Sequence, residues 1–221
     1  MGTDLRKEIL GMLETKSLTK AQVNSIIHDE FQEMKNTLHE MSGEINESLD
    51  DDERTIKIEY RDKGTFVAQL QVADDILIFN MHTDVFCFDP KNEIWKNEHI
   101  LKNSYNGYFG IINIYNFLSD TFKYTRTEDE GYLIARIFVN REKMFFVEGE
   151  GLDEFGVSAF GKRALTEEIM INIIEKVIVK TIGFDLYVPP FSMIQRVNAS
   201  QVNTKIENSK IETGKRFGFE L

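Results

Sequence analysis

Along this chain the spacing of apolar residues changes from helical to alternating and back to helical, and those changes divide it into elements. Leu5, Ile9, Leu10 and Leu13 mark a short amphipathic helix that is expected to stop near Lys16. A second helix is predicted to open with its own capping chemistry. Thr19 and Gln22 fit a capping box, and Leu18 with Val23 fit the hydrophobic staple around it. From there Ile27, Phe31, Met34, Leu38, Met41 and Ile45 recur at alternating spacings of four and three, the pattern of a coiled-coil seam. Carried to Ser48, the helix is about 45 Å long at roughly 1.5 Å per residue. The seam has two readings: a cover for the chain's own domain, or a partner-binding surface in a dimer. Ser42 and Gly43 offer an earlier end or a kink.

The acidic run Asp50, Asp51, Asp52 and Glu53 reads as a solvated linker, since the alternating ligand spacing of a calcium loop is absent. Beyond it, alternation takes over. Ile56, Ile58 and Tyr60, a turn at Arg61–Gly64, and Phe66, Ala68, Leu70 and Val72 predict a β-hairpin with one buried face. Ala73–Asp75 turn the chain into Ile76–Met81, an apolar run fit for a central strand. Val85–Phe88 continue the sheet, Asp89–Asn92 supply a turn, and Ile94 with Trp95 begin a short return strand.

The span from Gly110 to Gly183 reads as a helix, a strand meander and a closing helix. Between Ile111 and Lys123 the polar residues Asn113, Asn116, Asp120 and Lys123 recur at three or four. That leaves Ile112, Ile114, Tyr115, Leu118 and Phe122 for the buried side of a helix. The β-branched and aromatic residues in the same stretch keep a strand in competition. Strands follow at Phe122–Thr127, Tyr132–Val139 and Met144–Glu148, joined by Glu128–Gly131 and Asn140–Lys143. Leu165 and Thr166 open a last helix whose apolar face is Ile169, Met170, Ile173, Ile174, Val177, Ile178 and Ile182. Gly183 stands at its end, where a left-handed residue is wanted. Past Pro189 and Pro190 the chain turns polar as far as Lys215. This reads as a tail that docks through Phe217, Phe219 and Leu221, or one that orders on a partner.

The fold expected is therefore α+β, an antiparallel meander covered by N-terminal, middle and C-terminal helices. It divides into a helical segment over 1–49, a domain over 50–190 and a tail over 191–221.

Composition narrows the partners. With 42% apolar residues the 221-residue chain can build a conventional core, and a net charge of -11 with no basic run argues against nucleic acid. One cysteine, Cys87, excludes an intramolecular disulfide and a thiolate-rich zinc site, and a reducing cytoplasm suits it. The charged residues of Met1–Leu13 exclude a signal peptide or a membrane span, and Arg6 stands where a myristoylation signal needs Ser or Thr.

Candidate chemistry is thin. Gly156–Lys162 has the glycine and lysine spacing of a phosphate loop, but Arg163 follows where Ser or Thr must hold magnesium and the neighbourhood is acidic. Gly149, Gly151 and Gly156 miss the dinucleotide spacing, because Glu154 replaces the third glycine. His82, Asp84 and Cys87 lie close in sequence, yet in extended chain Cys87 points away from the other two, and between Phe86 and Phe88 it reads as a small buried apolar residue. His28 and His39 are too far apart on a helix to share an ion, and His99 has no evident partner. Glu148 and Glu150 are the carboxylate pair that a metal-dependent hydrolase would use, the alternative to a non-enzymatic reading. No cofactor motif is complete, and none is expected.

At Asn113, Tyr115, Asn116, Phe122, Lys123, Tyr124, Gly131, Leu133, Thr166 and Glu167 the second half resembles the YbjN family, bacterial sensory transduction regulators similar in fold to type III secretion chaperones. The likeness spans Asn113 to Ile182. It implies a helix bearing spaced Asn residues, then a meander, then a helix opened by a small hydroxyl residue. It also implies a dimerising, chaperone-like contact protein rather than an enzyme. The expected function is thus protein binding, to a partner or to a second copy. The residues expected to carry it are Ile27, Phe31, Met34, Leu38, Met41 and Ile45.

Overall fold

One helical rod begins the chain, in three phases: α1 (Gly2–Met12), a π-helical turn (Leu13–Ser17) and α2 (Leu18–Ser48). The computed structural model describes residues 2–49, 56–124, 126 and 129–184. The acidic linker at Asp50–Glu53 and the tail over 191–221 lie outside these residues. The break expected near Lys16 is absent, and so is the capping box. Ser17 has right-handed helical backbone and no side-chain cap, while Thr19 is buried. Residues 13–18 contain no Gly or Pro to interrupt the hydrogen-bond ladder. The π turn accommodates one extra residue, so the apolar stripe changes phase without a break. Ser42 and Gly43 do not end the helix either; the Ser42 hydroxyl donates to the His39 carbonyl at 2.7 Å and the helix runs on to Ser48.

The strands are β1 (Ile58–Asp62), β2 (Val67–Val72), β3 (Asp75–Met81), β4 (Phe86–Cys87), β5 (Tyr108–Leu118), β6 (Tyr132–Val139) and β7 (Phe145–Gly149). All pairings are antiparallel. The spatial order is β1-β2-β3-β5-β6-β7, and β4 pairs with the first residues of β5 beyond the end of β3. The β1–β2 hairpin, β3 and β6 thus form where the apolar pattern predicts them.

Three elements differ from expectation. The helix expected over Ile111–Lys123, which the family likeness also implies, is instead the central strand β5 as far as Leu118. Its residues pair with β3 on one side and β6 on the other. The recurrence of Asn113 and Asn116 was coincidental with a helical period: Asn116 is buried, whereas Asn113 is half-buried on the other face. With a partner strand on each side, an Ile- and aromatic-rich segment is paired along most of its length, with one register shift against β6 between Ile114 and Tyr115, and the strand preference prevails. Only the polar end coils, as α4 (Ser119–Lys123), which takes the first residues of the strand expected over Phe122–Thr127; Thr125 and Thr127 lie outside the described residues. Ile94 and Trp95 form a 3-10 turn, Glu93–Lys96, rather than a return strand. The Asn92 side chain accepts from the Ile94 N–H, and the Trp95 indole donates to the Asp89 carbonyl at 2.9 Å. A short helix α3 (Glu98–Lys102) and a second 3-10 turn (Ser104–Gly107) then lead into β5.

The closing helix α5 (Glu167–Ile182) starts as expected, with the Thr166 hydroxyl accepting from the Ile169 N–H. Its end is simpler than expected. Gly183 has φ -75, so the helix stops without a left-handed residue.

Alternation along the strands sorts the side chains into two cores. The inner face carries Leu70, Phe79, Ile112, Ile114 and Ile137, and packs against α2 and α5. Here α2 comes so close to β5 that a Cβ on Gly110 would lie 2.6 Å from the Ile27 Cβ. The outer face carries Phe109, Phe138 and Phe146. It is roofed by Phe88 and Ile94 from the chain between β4 and β5, and by Phe160 from the loop after β7. Phe138 and Phe146 stack at 4.6 Å between ring centroids.

Candidate functional site

The seam of α2 faces inward. Ile27, Phe31, Met34, Leu38 and Met41 are buried against the sheet, and Ile45 is half-buried against the same core. Two polar latches hold the helix there. The Lys35 side chain is only 6% exposed, and its ammonium donates to Asp62 at 2.9 Å and to the Gly64 carbonyl at 2.6 Å. Asn46 both donates to the Ile58 carbonyl and accepts from its N–H, as a neighbouring strand would. The surface proposed from the seam is therefore occupied by the chain's own sheet.

Glu148 and Glu150 are not brought together. Glu148 is on the outer face, ion-paired with Arg136, its cross-strand neighbour. Glu150 is held by Lys180 of α5 at 2.6 Å, and that contact keeps its carboxyl below the usual range. Cys87 is exposed rather than buried, because β4 is only two residues long and gives Phe88 to the outer core instead. His82 accepts from the Asp84 N–H through Nδ1 at 3.0 Å, with its ring edge-on to Phe86. The rings of His28 and His39 pack on Phe66 and Tyr60. The loop Gly156–Lys162 turns as a 3-10 segment and sends Phe160 into the outer core. Among the described residues no group of three or more His, Cys, Asp or Glu is arranged to hold a metal ion.

His99, without a partner in the sequence reading, gains several. Its Nε2 meets the side-chain amides of Asn106 at 3.0 Å and Asn140 at 3.2 Å, and a Glu142 carboxylate oxygen at 3.4 Å. Asn140 is completely buried. Its carbonyl oxygen accepts from the N–H groups of Glu142 and Met144, and its amide donates to the Asn106 carbonyl. This network ties α3 and the turn before β5 to the β6–β7 hairpin, and so holds the roof over one half of the outer face. A sequence signal existed in the Asn residues beside three turns. Their convergence depended on chain segments more than thirty residues apart.

The roof stops short of the other half. There the outward side chains of β2, β3 and β5 line a shallow groove of about 590 Å³. Its floor is Val67, Gln69, Ile78, Asn80, Tyr115 and Phe117, with Lys63 and the exposed Phe122 at its borders. Cross-strand register explains the grouping: Gln69, Ile78 and Tyr115 form one row, and Val67 with Asn80 the next. The lining is mostly apolar, with two amides in the floor and one cation at the border. Among the described residues it contains no carboxylate, although the chain is acidic overall.

No family model matches the chain, and neither a curated protein nor a solved structure is significantly similar to it. No helix among the described residues is long and apolar enough to cross a membrane.

Proposed function

We propose that this chain acts by contact, receiving an amphipathic helix of a protein across the unroofed half of its outer sheet face. The observation that carries the reading is the apolar groove over β2, β3 and β5, a sheet face left half open while the rest is covered. A sheet face offers side chains and no free ladder groups. A segment buried against it must therefore satisfy its own backbone N–H and C=O groups, as a helix does and a strand does not. The aromatic floor provides the area that anchors an apolar helix face. Lys63 at the border favours an acidic residue beside that face.

The test is a photo-reactive phenylalanine analogue at Phe117, in the groove, and at Val179, on the exposed side of α5 as a control. The expected result is a discrete adduct from position 117 alone, mapping to an amphipathic helix and lost when Ile78→Glu puts a charge in the floor. Adducts that are absent, that lie on extended or polar segments, or that form equally from both positions overturn the reading.

A further inference from the structure

The arm formed by α1 and the π turn is the longest uncovered stretch among the described residues: every residue from Asp4 to Leu18 is exposed. Leu5 is 64% exposed, and Ile9, Met12 and Leu13 each more than half. At about 3.6 residues per turn these four make one stripe, with Asp4 and Glu8 along one border and Arg6 on the other. An apolar stripe on an uncovered helix marks a surface that is covered in use.

Three occupants can be weighed. An anionic membrane surface is disfavoured, since Asp4, Glu8 and Glu14 balance Arg6, Lys7 and Lys16, and the chain carries a net charge of -11. Pairing of two arms as a coiled coil is disfavoured too. The seam spans only about two heptads where three or more are wanted, and Lys16 takes the next core position. What remains is the groove, which takes an amphipathic helix with an acid along the border that meets Lys63. The arm cannot reach the groove of its own chain. Ile27 packs at Gly110 and Glu30 pairs with Lys143 at 2.6 Å, which places α2 on the inner face from its third turn onward. The arm leaves from there as a continuation of the same unbroken helix.

We infer that two copies of this chain exchange arms, the stripe Leu5–Ile9–Met12–Leu13 of each lying in the outer-face groove of the other. This rests on the helix-in-groove reading above and names its partner. The α1 helix, about 16 Å long, is sufficient to cross three strands set roughly 4.8 Å apart. Asp4 or Glu8 then meets Lys63. Reciprocity makes the contact self-complementary and doubles an area that, taken once, falls at the small end of stable interfaces.

Sedimentation of the full chain tests this. A species of twice 25.7 kDa is expected. It is lost in the exposed arm variant Leu5→Asp/Ile9→Asp and in the groove variant Ile78→Glu, with circular dichroism unchanged in both. Mixing those two variants restores a heterodimer through one intact contact. Glu8→Lys and Lys63→Glu each weaken the dimer roughly tenfold, and together recover most of that loss. A chain that stays monomeric, a dimer that survives either apolar variant, or charge reversals that do not compensate overturns the exchange. A monomer whose position 117 still cross-links to a helix of another protein overturns the exchange alone and leaves the proposed function standing.

Discussion

Asp62 shows how much one half-exposed side chain can do. It accepts from the buried Lys35 ammonium and from the Gly64 N–H at 2.8 Å. Those two bonds, the ammonium first, hold its carboxyl below the ordinary range. Because the folded value is depressed, the stabilisation is complete above the unfolded aspartate value, about 4, and is lost as pH falls through the folded one. Asp62→Asn is expected to cost about 1 kcal/mol at neutral pH. Urea melts from pH 7 down to pH 2 should show the wild-type advantage shrinking to nothing; an advantage independent of pH refutes the latch. Asn140 is the sharper case. Asn140→Ala strips an acceptor from two backbone N–H groups in a buried site, and a loss of about 2–4 kcal/mol is expected in the same melts. At the two-residue turn between β2 and β3, Ala73 has φ 51, a conformation that glycine adopts without strain. Ala73→Gly should therefore stabilise by about 0.5–1 kcal/mol, an outcome opposite in sign to most loop substitutions.

At the scale of elements, neighbours decide what local pattern leaves open. The segment Tyr108–Leu118 carried both a helical spacing of polar residues and the branched, aromatic composition of a strand. Pairing on both sides settles it as β5. The rod at the start of the chain is the converse. Thr19 and Gln22 suit a cap, but nothing between Leu13 and Leu18 compels a break, so the helix continues through a π turn. Where a cap terminates a helix against a turn, as Thr166 does for α5, the sequence signature and the structure coincide. Thr166→Ala is expected to cost about 1 kcal/mol, read as a lower thermal midpoint. The approach of α2 to β5 is a property of the pair of elements. Gly110→Ala places a methyl against Ile27 and should cost about 1–3 kcal/mol, with Ile27→Ala in the same chain recovering part of it in a double-mutant cycle.

For the whole molecule, the α+β class, the hairpins, the meander after β5 and the closing helix follow from residues met in order. Each depends on a period of two or of 3.6 that a single segment can express. The seam residues from Ile27 to Met41 were legible as an apolar face. Whether that face covers the chain's own sheet is a matter of what lies opposite, and in the fold the inner face of the sheet does. The outer face could not be read this way. Its roof comes from short irregular turns around Asn92, Asn97 and Asn103, fixed by side-chain acceptors, and its gap is defined by where those turns end. The groove joins residues of three strands, and the His99 network joins segments from Asn97 to Asn140; neither has a spacing of its own to detect. Local periodicity sets the elements because it reports burial of one residue relative to its near neighbours. Which faces meet, which stay open and which carboxylates find cations depend on contacts distant along the chain, and these exist only once the sheet has closed on its helices.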